Sequence, residues 1–545
     1  YKRKPDVLCF SCYIWNIDYV TDIAREYKKL CPSVPIWVGG PEVSYEVEAF
    51  LRENPYIDGV MIGEGEDTFR ELCAYYHANP DMDNVNAFKK LADISGIAFR
   101  DDNGSVIFTP ARPIKNMSEI PFCYDTLDDF SNRIIYYESS RGCPFSCSYC
   151  LSSVDKTLRF RDTEIVKREL KFFIDQKVPQ IKFVDRTFNC NHAHAMELWR
   201  FIKANDNGVT NFHFEISADL LNQEELELIS DMRPGLIQLE IGVQSTNEVT
   251  IKEIHRTMKL ERLKEVVRLI QSGNNIHEHL DLIAGLPYED YDSFGRSFDE
   301  IYELKPNQLQ LGFLKVLKGS YMFEHAAEYG IVYHDKPPYE VMSTKWLSFD
   351  DVIKIKRVED MLEVYYNSGQ FEITMKLMEC IFDSAFEFFQ ELGDFYEANG
   401  YFGMSHSRIR RCEILLEFLA LYLHGCDSDD MASMVLSENA VDRENTDCDE
   451  HAIDRENAGE NTDFDENAQI YSMIQESLIF DLYYRENCKS RPRWATDIGK
   501  FKHMTHAYCK NGKLSHVEPF HYIFPDKHTR KLDELPKYHK EPVWA

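Results

Sequence analysis

Apolar positions in this chain come in short runs separated by stretches of helical spacing. Between residues 1 and 80, Val7–Tyr13, Pro35–Val38 and Gly59–Ile62 read as strands. Asp18–Leu30 and the segment around Glu46–Glu53 read as helices, and another helix succeeds the turn at 63–66. Strands alternating with helices at this spacing predict a parallel sheet with crossover helices. The first strand opens almost at the first residue, so this sheet is expected to be incomplete. Residues 81–133 read as a connector. Within it Ile97–Arg100 and Val106–Thr109 flank Asp101-Asp102-Asn103-Gly104, a hairpin signal, and Pro110, Pro113 and Pro121 punctuate the remainder of the connector.

From Ile134 the alternation resumes. Strands are predicted at Ile134–Ser139, Gln180–Val184, Asn211–Ile216, Leu236–Val243, His277–Ile283 and Gln308–Val316, with helices near 162–176, 192–204, 222–231, 260–272 and 290–303. Six strand–helix units predict a partial (βα)6 barrel, whose chemistry sits at the C-terminal ends of its strands. Beyond about 345 helices dominate as far as Leu423. The expected divisions are therefore 1–80, the connector 81–133, the barrel 134–320, a mainly α region 321–425, an insertion 426–468 and a closing segment 469–545.

Composition sharpens this picture in three places. The chain has 545 residues and a formal net charge of −31, which argues against nucleic acid or an anionic membrane as a bulk-surface partner. Segment 426–468 alone carries a net −13 and repeats itself (NAVDRENTDCDE, HAIDRENAGENTDFDE), which predicts a disordered acidic insertion. No apolar run reaches the roughly 18–20 residues of a membrane span, so a soluble, cytoplasmic protein is expected. Fifteen scattered cysteines point to a reducing compartment.

The chemistry centres on RGCPFSCSYC, which sets Cys143, Cys147 and Cys150 in a CxxxCxxC array directly after the first barrel strand. Three thiolates on one short loop can hold a 4Fe–4S cluster and leave its fourth iron open for a ligand. A zinc reading competes through Cys9 and Cys12, a second CxxC, although on a strand these also read as small buried apolar residues. A non-catalytic iron–sulfur or zinc interaction protein, docking through its acidic repeat, stays open at this level.

With Tyr149 before its last cysteine, the array resembles that of the radical S-adenosylmethionine (SAM) superfamily, over roughly 134–320. The resemblance implies reductive cleavage of SAM at the cluster to a 5′-deoxyadenosyl radical. It also implies an electron donor of flavodoxin or ferredoxin type and a small-molecule or peptide substrate. SAM contacts are implied at Tyr149, at Asp185 in FVDRTFN, at Glu215 in FHFEIS and at Gln244 and Ser245 in IGVQS. Arg256 in HRT and Ile283 and Gly285 in DLIAGLP complete the set.

The N-terminal segment is similar to cobalamin-binding flavodoxin-like domains. Ser11-Cys12-Tyr13 ends one strand, Gly39-Gly40 ends the next after 25 intervening residues, and Gly63-Glu64-Gly65 forms the next edge loop. Cobalamin contacts are thereby implied at Ser11, Tyr13, Gly39, Gly40, Gly63, Glu64 and Gly65. Tyr13 stands where such domains usually carry Leu, and their DxHxxG histidine motif is absent from this sequence. The helical segment after 345 resembles an uncharacterised domain that trails some cobalamin-type radical SAM proteins. The expected architecture is α/β: an N-terminal flavodoxin-like (Rossmann-like) parallel sheet, a partial (βα)6 TIM-like barrel and a mainly α C-terminal domain. The implied outcome is cobalamin-dependent methylation of an unactivated carbon, with radical rearrangement or methylthiolation as alternatives.

Overall fold

A computed structural model describes residues 1–79, 90–101, 103–130, 133–424, 461–485, 492–495, 519–522 and 538–544. Most of the expected acidic insertion therefore lies outside the described residues. Its end does not, because a helix Asn461–Arg485 begins within it.

The first sheet has five strands in sequential order: β1 (Leu8–Ser11), β2 (Ile36–Gly39), β3 (Gly59–Met61), β4 (Ile97–Arg100) and β5 (Val106–Phe108). Strands β1, β2 and β3 are parallel, whereas the hairpin β4–β5 adds antiparallel to β3. The hairpin expected within a connector is thus part of the N-terminal sheet. The amphipathic helix Ile17–Leu30 turns Ile17, Val20 and Ala24 onto β1 and β2, where they join Ile36, Val38 and Val60 in one core.

The second sheet has the order β13-β12-β11-β10-β9-β6, with β6 (Ile135–Tyr137), β9 (Gln180–Phe183), β10 (Asn211–Ile216), β11 (Ile237–Gln244), β12 (His277–Ala284) and β13 (Gln308–Phe313). The pairings from β6 through β12 are all parallel. Connecting helices run over Thr163–Asp175, His192–Ala204, Gln223–Ser230, Leu260–Gly273 and Tyr291–Tyr302, close to their predicted places. Between β6 and β9 a two-stranded antiparallel pair, β7 (Ser140–Arg141) with β8 (Arg159–Phe160), was not anticipated. It closes the base of the cysteine loop.

The chain divides into two compact units, one of residues 1–297 and 310–352 and the other of 298–309 and 353–545. The mainly α region thus begins near 353 rather than 321, because a strand pair Val332–Tyr333 with Val341–Ser343 belongs to the first unit. In the second unit the helix Glu372–Met378 starts after Phe371, which has no side-chain oxygen to cap it. Asp481, far along the chain, takes that role: its carboxylate accepts from the backbone N–H of Ile373 and Thr374 and from Thr374 Oγ1, at 2.9–3.2 Å.

Two buried carboxylates make stability testable. Replacing Asp481 strands those donors, so Asp481→Ala is expected to cost about 2–4 kcal/mol in urea unfolding monitored by circular dichroism. Glu289, after β12, accepts from Ser245 Oγ at 2.7 Å and Ser297 Oγ at 3.0 Å. Burial outweighs these bonds and pushes its carboxyl from the ordinary 4.5 up to about 7. The fold therefore favours the protonated form, and that stabilisation is full below pH 4.5 and lost as pH rises through 7. Glu289→Gln is expected to flatten this fall, read as melting temperature against pH.

Candidate functional site

The cysteine loop leaves β6 at the C-terminal edge of the second sheet. Its entry is held by Asp185, which has no exposed surface and accepts from Ser139 N–H at 2.9 Å, Ser139 Oγ at 2.7 Å and Ser140 Oγ at 2.5 Å. Burial raises this carboxyl to about 6 against those bonds. His194 Nε2 lies 3.0 Å from Ser139 Oγ. Gly142 then turns at φ +91°, where a Cβ would lie 2.6 Å from the Thr157 carbonyl oxygen. Two backbone bonds fix the far side of the loop: Ser148 N–H donates to Ile254 O, and Met322 N–H to Ser148 O, both at 2.9 Å.

Cys143, Cys147 and Cys150 open onto one cavity of about 230 Å³. Tyr149, Arg186, Thr187, Glu215, Glu240, Gly242, Gln244, Arg256 and Asp281 also face it. Cys143 and Cys147 are buried, and burial raises the Cys143 thiol, with Cys150 and Cys147 near enough to add to the shift. Among the described residues no three His, Cys, Asp or Glu side chains converge on a single metal ion. A cubane makes a different demand, since each thiolate binds its own iron. The three cysteines on one cavity wall fit such a cluster. Gln244 Oε1 and Arg256 Nε are buried without a hydrogen-bond partner, so polar groups of a further ligand have places to bond.

Of the residues assigned to SAM, Tyr149, Glu215, Gln244 and Arg256 line this cavity. Asp185 does not, because its carboxylate is consumed by Ser139 and Ser140. Ser245 does not either, since its hydroxyl is buried on Glu289. Gly285 is packed elsewhere, with a Cβ there only 2.7 Å from Val341 Cγ1, and Ile283 is not on the cavity wall.

Sequence reasoning missed Arg186, Thr187, Glu240 and Asp281. Buried parallel strands normally read as unbroken apolar runs. Here His213/Glu215, Glu240/Gln244 and His279/Asp281 break β10, β11 and β12 at every second position, which marks an inward polar face. Glu240 is held near pH 2: burial opposes ionisation, but His213 Nε2 and Lys182 Nζ, each at 2.9 Å, outweigh it. Burial dominates at Asp281 and raises its carboxyl in spite of His279 Nε2 at 3.1 Å. Burial also raises Glu215, to about 7.

At the carboxyl edge of the first sheet, Ser11 pairs with Gly39. Tyr13, part exposed, stacks on Trp15 with ring centroids 4.5 Å apart. A Cβ on Gly39 would lie 3.2 Å from Met61 Cβ, and one on Gly40 2.5 Å from Cys12 O, so both serve packing between strands. Gly63 and Gly65 face open space, the kind of small-residue cradle a cofactor tail needs. Glu64 is an ion-pair residue rather than a free edge group: Arg159 Nη1 lies 2.6 Å and Arg141 Nη1 3.4 Å from it. Arg141 also reaches Glu66 at 2.8 Å. The edge loop is therefore tied to β7 and β8, the base of the cysteine loop. Cys9 and Cys12 are intermediate and buried, and burial pushes both thiols up to about 12, the state of small apolar residues rather than metal ligands.

Three family models match in chain order: a B12 binding domain over residues 1–73, the radical SAM superfamily over 137–301, and a protein family of unknown function, DUF4080, over 327–533. The cobalamin-dependent radical SAM methyltransferase TokK of Streptomyces tokunonensis is 27% identical over 320 residues, covering 55% of this chain and 45% of that protein. The 2-(S-pantetheinyl)-carbapenam-3-carboxylate methyltransferase of Streptantibioticus cattleyicolor is 28% identical over 318 residues, with the same two shares. The chain thus spans about half the length of these curated relatives. The solved structure of the cobalamin-dependent SAM radical enzyme OxsB, with aqua-cobalamin and SAM bound, shares the fold at a TM-score of 0.52 and 16% identity, covering 89% of this chain and 73% of that one. By these matches, a segment similar to a B12-binding domain precedes one similar to the radical SAM superfamily along the chain.

Proposed function

We propose that this protein is a cobalamin-dependent radical SAM methyltransferase acting on an unactivated carbon of a small-molecule or peptide substrate. The observation that carries the reading is the opening of Cys143, Cys147 and Cys150 onto one polar cavity at the mouth of the second sheet. When bound, the cofactors supply one-electron cleavage of SAM to methionine and a 5′-deoxyadenosyl radical that takes a substrate hydrogen atom, with cobalamin as the methyl carrier and a flavodoxin- or ferredoxin-type protein as electron donor.

The chain's own residues prepare that site. Cys143, Cys147 and Cys150 would hold three irons, while Thr187 Oγ1, 3.9 Å from Cys143 Sγ, stands beside the first of them. Glu215 and Gln244 present acceptors into the cavity for hydroxyl or amino donors. Ser11, Gly39 and Gly40 shape the edge of the first sheet, and Gly63 and Gly65 leave room there for a cobalamin tail. The Glu64–Arg159 and Glu66–Arg141 pairs hold that edge to the cysteine loop.

Anaerobically reconstituted protein is expected to show cluster absorbance, to retain added hydroxocobalamin through gel filtration and to release 5′-deoxyadenosine on reduction with SAM. Corrinoid passing through unretained would remove methyl transfer, and the absence of 5′-deoxyadenosine would remove the radical chemistry. Cys143→Ala, Cys147→Ala and Cys150→Ala are each expected to lose iron and reduce 5′-deoxyadenosine to background. Asp185→Ala leaves three donors of Ser139 and Ser140 without their acceptor. It is expected to cost about 3 kcal/mol and to lower iron per chain by loosening the loop entry.

A further inference from the structure

Between β2 and the helix Val47–Glu53 the chain forms a loop, residues 40–46, whose side chains divide between two tasks. Ser44 serves the first sheet: its hydroxyl donates to Gly40 O at 2.8 Å and accepts from Gly63 N–H at 3.4 Å, which ties together two glycine turns at the carboxyl edge. Glu42, Tyr45 and Glu46 serve the segment that follows β13. Buried Tyr339 donates its hydroxyl to the Glu42 carboxylate, and Lys318 Nζ lies 4.0 Å from Glu46 Oε2. The Tyr45 ring occupies the space where a side chain at Gly319 would stand. A Cβ there would come within 2.3 Å of both Cδ1 and Cε1, and Gly319 has a φ of +84°. Glycine is therefore required at 319 on two grounds, its conformation and the ring against it.

The same segment holds the cysteine loop at its other end. Val316 N–H donates to Tyr339 O at 3.0 Å, and Ser320 closes a turn, its N–H and hydroxyl donating to Leu317 O at 3.0 and 2.7 Å. Ser320 has no exposed surface and also caps the short helix Tyr321–His325, accepting from Phe323 N–H at 3.1 Å. Met322 N–H then donates to Ser148 O, between Cys147 and Tyr149, at 2.9 Å. Gly319 and Met322 are three positions apart. Even fully extended, that much chain spans no more than about 11 Å, and here it is drawn into a turn. A connection this short, with its hydrogen bonds closed, passes a displacement on rather than absorbing it, as a flexible linker would.

We propose that the seat of Tyr45 on Gly319 is a spacer that sets the distance between a cobalamin held at the edge of the first sheet and a cluster held by the three cysteines. This rests on both cofactors binding as proposed above. The contact is made by ring carbons Cγ, Cδ1 and Cε1, so the ring and not the hydroxyl is the spacer. A misplacement of about 1 Å between reacting groups can cost about a hundredfold in rate, so a fixed separation is what such a pair of cofactors needs. Tyr45 and Gly319 act through the loops they join and are positioning residues.

The test uses the full chain, anaerobically reconstituted with iron, sulfide and hydroxocobalamin, and iron and corrinoid are counted in each sample. The readout is the electron paramagnetic resonance of cob(II)alamin, measured with the cluster oxidised and then reduced by dithionite. A paramagnetic cluster nearby speeds the relaxation of that signal, and the enhancement falls with the inverse sixth power of distance. Gly319→Ala inserts an atom beneath the ring and is expected to lower the enhancement about twofold, as a spacing wider by about a tenth would. Tyr45→Ala removes the spacer and is expected to raise it, the double variant falling between the two, while Tyr45→Phe stays at the wild-type value. Should one single variant lose corrinoid, the other carries the comparison alone. An unmoved enhancement in the loaded variants overturns the proposal. So does a fall in both single variants, which would mean loosening, or a Tyr45→Phe shift as large as that of Tyr45→Ala. Corrinoid lost from both single variants overturns it too, because the contact would then serve binding rather than spacing. A wild-type signal unchanged by cluster reduction is a further contrary result. A wild-type chain that retains no corrinoid or no cluster overturns the proposed function as well, which separates the two failures.

Discussion

Asp185 stands at the end of β9 with its carboxylate wholly inside the protein, and its acceptors are taken up by the two serines that come after β6. A buried carboxylate costs energy unless its oxygens are satisfied. Only one conformation of Ser139-Ser140 supplies those bonds, so the chain is committed at that point. From there Arg141 pairs with Arg159 across β7 and β8, and Gly142 turns the backbone where any side chain would strike Thr157. The positions of the three cysteines are consequences of this commitment. Little secondary structure holds them: Cys150 is succeeded by a single 3₁₀ turn, and the two flanking strands are two residues each.

The same two-stranded base couples the second sheet to the first. Arg141 and Arg159 face Glu64 and Glu66, at the start of the helix Gly65–Ala78. Lys115 binds Asp67 at 2.7 Å and Arg112 binds Glu71 at 2.6 Å on the same helix. Individually, exposed pairs of this kind contribute under about 1 kcal/mol. These are partly buried, share partners and span two sheets, so they act as a network that fixes orientation. A second link joins Tyr339 to Glu42, and Gly319 lies against the Tyr45 ring. The carboxyl edges of both sheets are thus held within one unit.

The strands and helices of the second sheet were legible because the 2- and 3.6-residue periods are local properties, and Asn211–Ile216 was placed to the residue. The CxxxCxxC loop was legible for a similar reason, since three ligands on one loop need no tertiary knowledge. The features that escaped depend on contacts between distant residues. Asp185 and Ser245 sit at strand ends, where ligand contacts are expected, yet each is consumed by partners 40 or more residues away in sequence. The hairpin β4–β5 was recognised but not its place, because an edge strand carries no local sign of which sheet it joins. Phe371 cannot cap a helix, and nothing nearby announces that Asp481 will.

Net charge misleads about the site for the same reason. The chain's −31 becomes −18 without segment 426–468. Around the barrel strands the Glu240 carboxylate is settled locally by Lys182 and His213. In the cavity the Arg256 guanidinium stands beside the cysteines, and the Glu215 carboxyl on β10 has Arg186 near enough to act on it. The cavity is therefore polarised, with a cation at the sulfur end and an acceptor on the strands. A neutral apolar ligand would satisfy neither. A negatively charged cluster satisfies the first, and a ligand bringing hydroxyl or amino donors satisfies the second. The preference for ligands arises from these polar groups on the cavity wall.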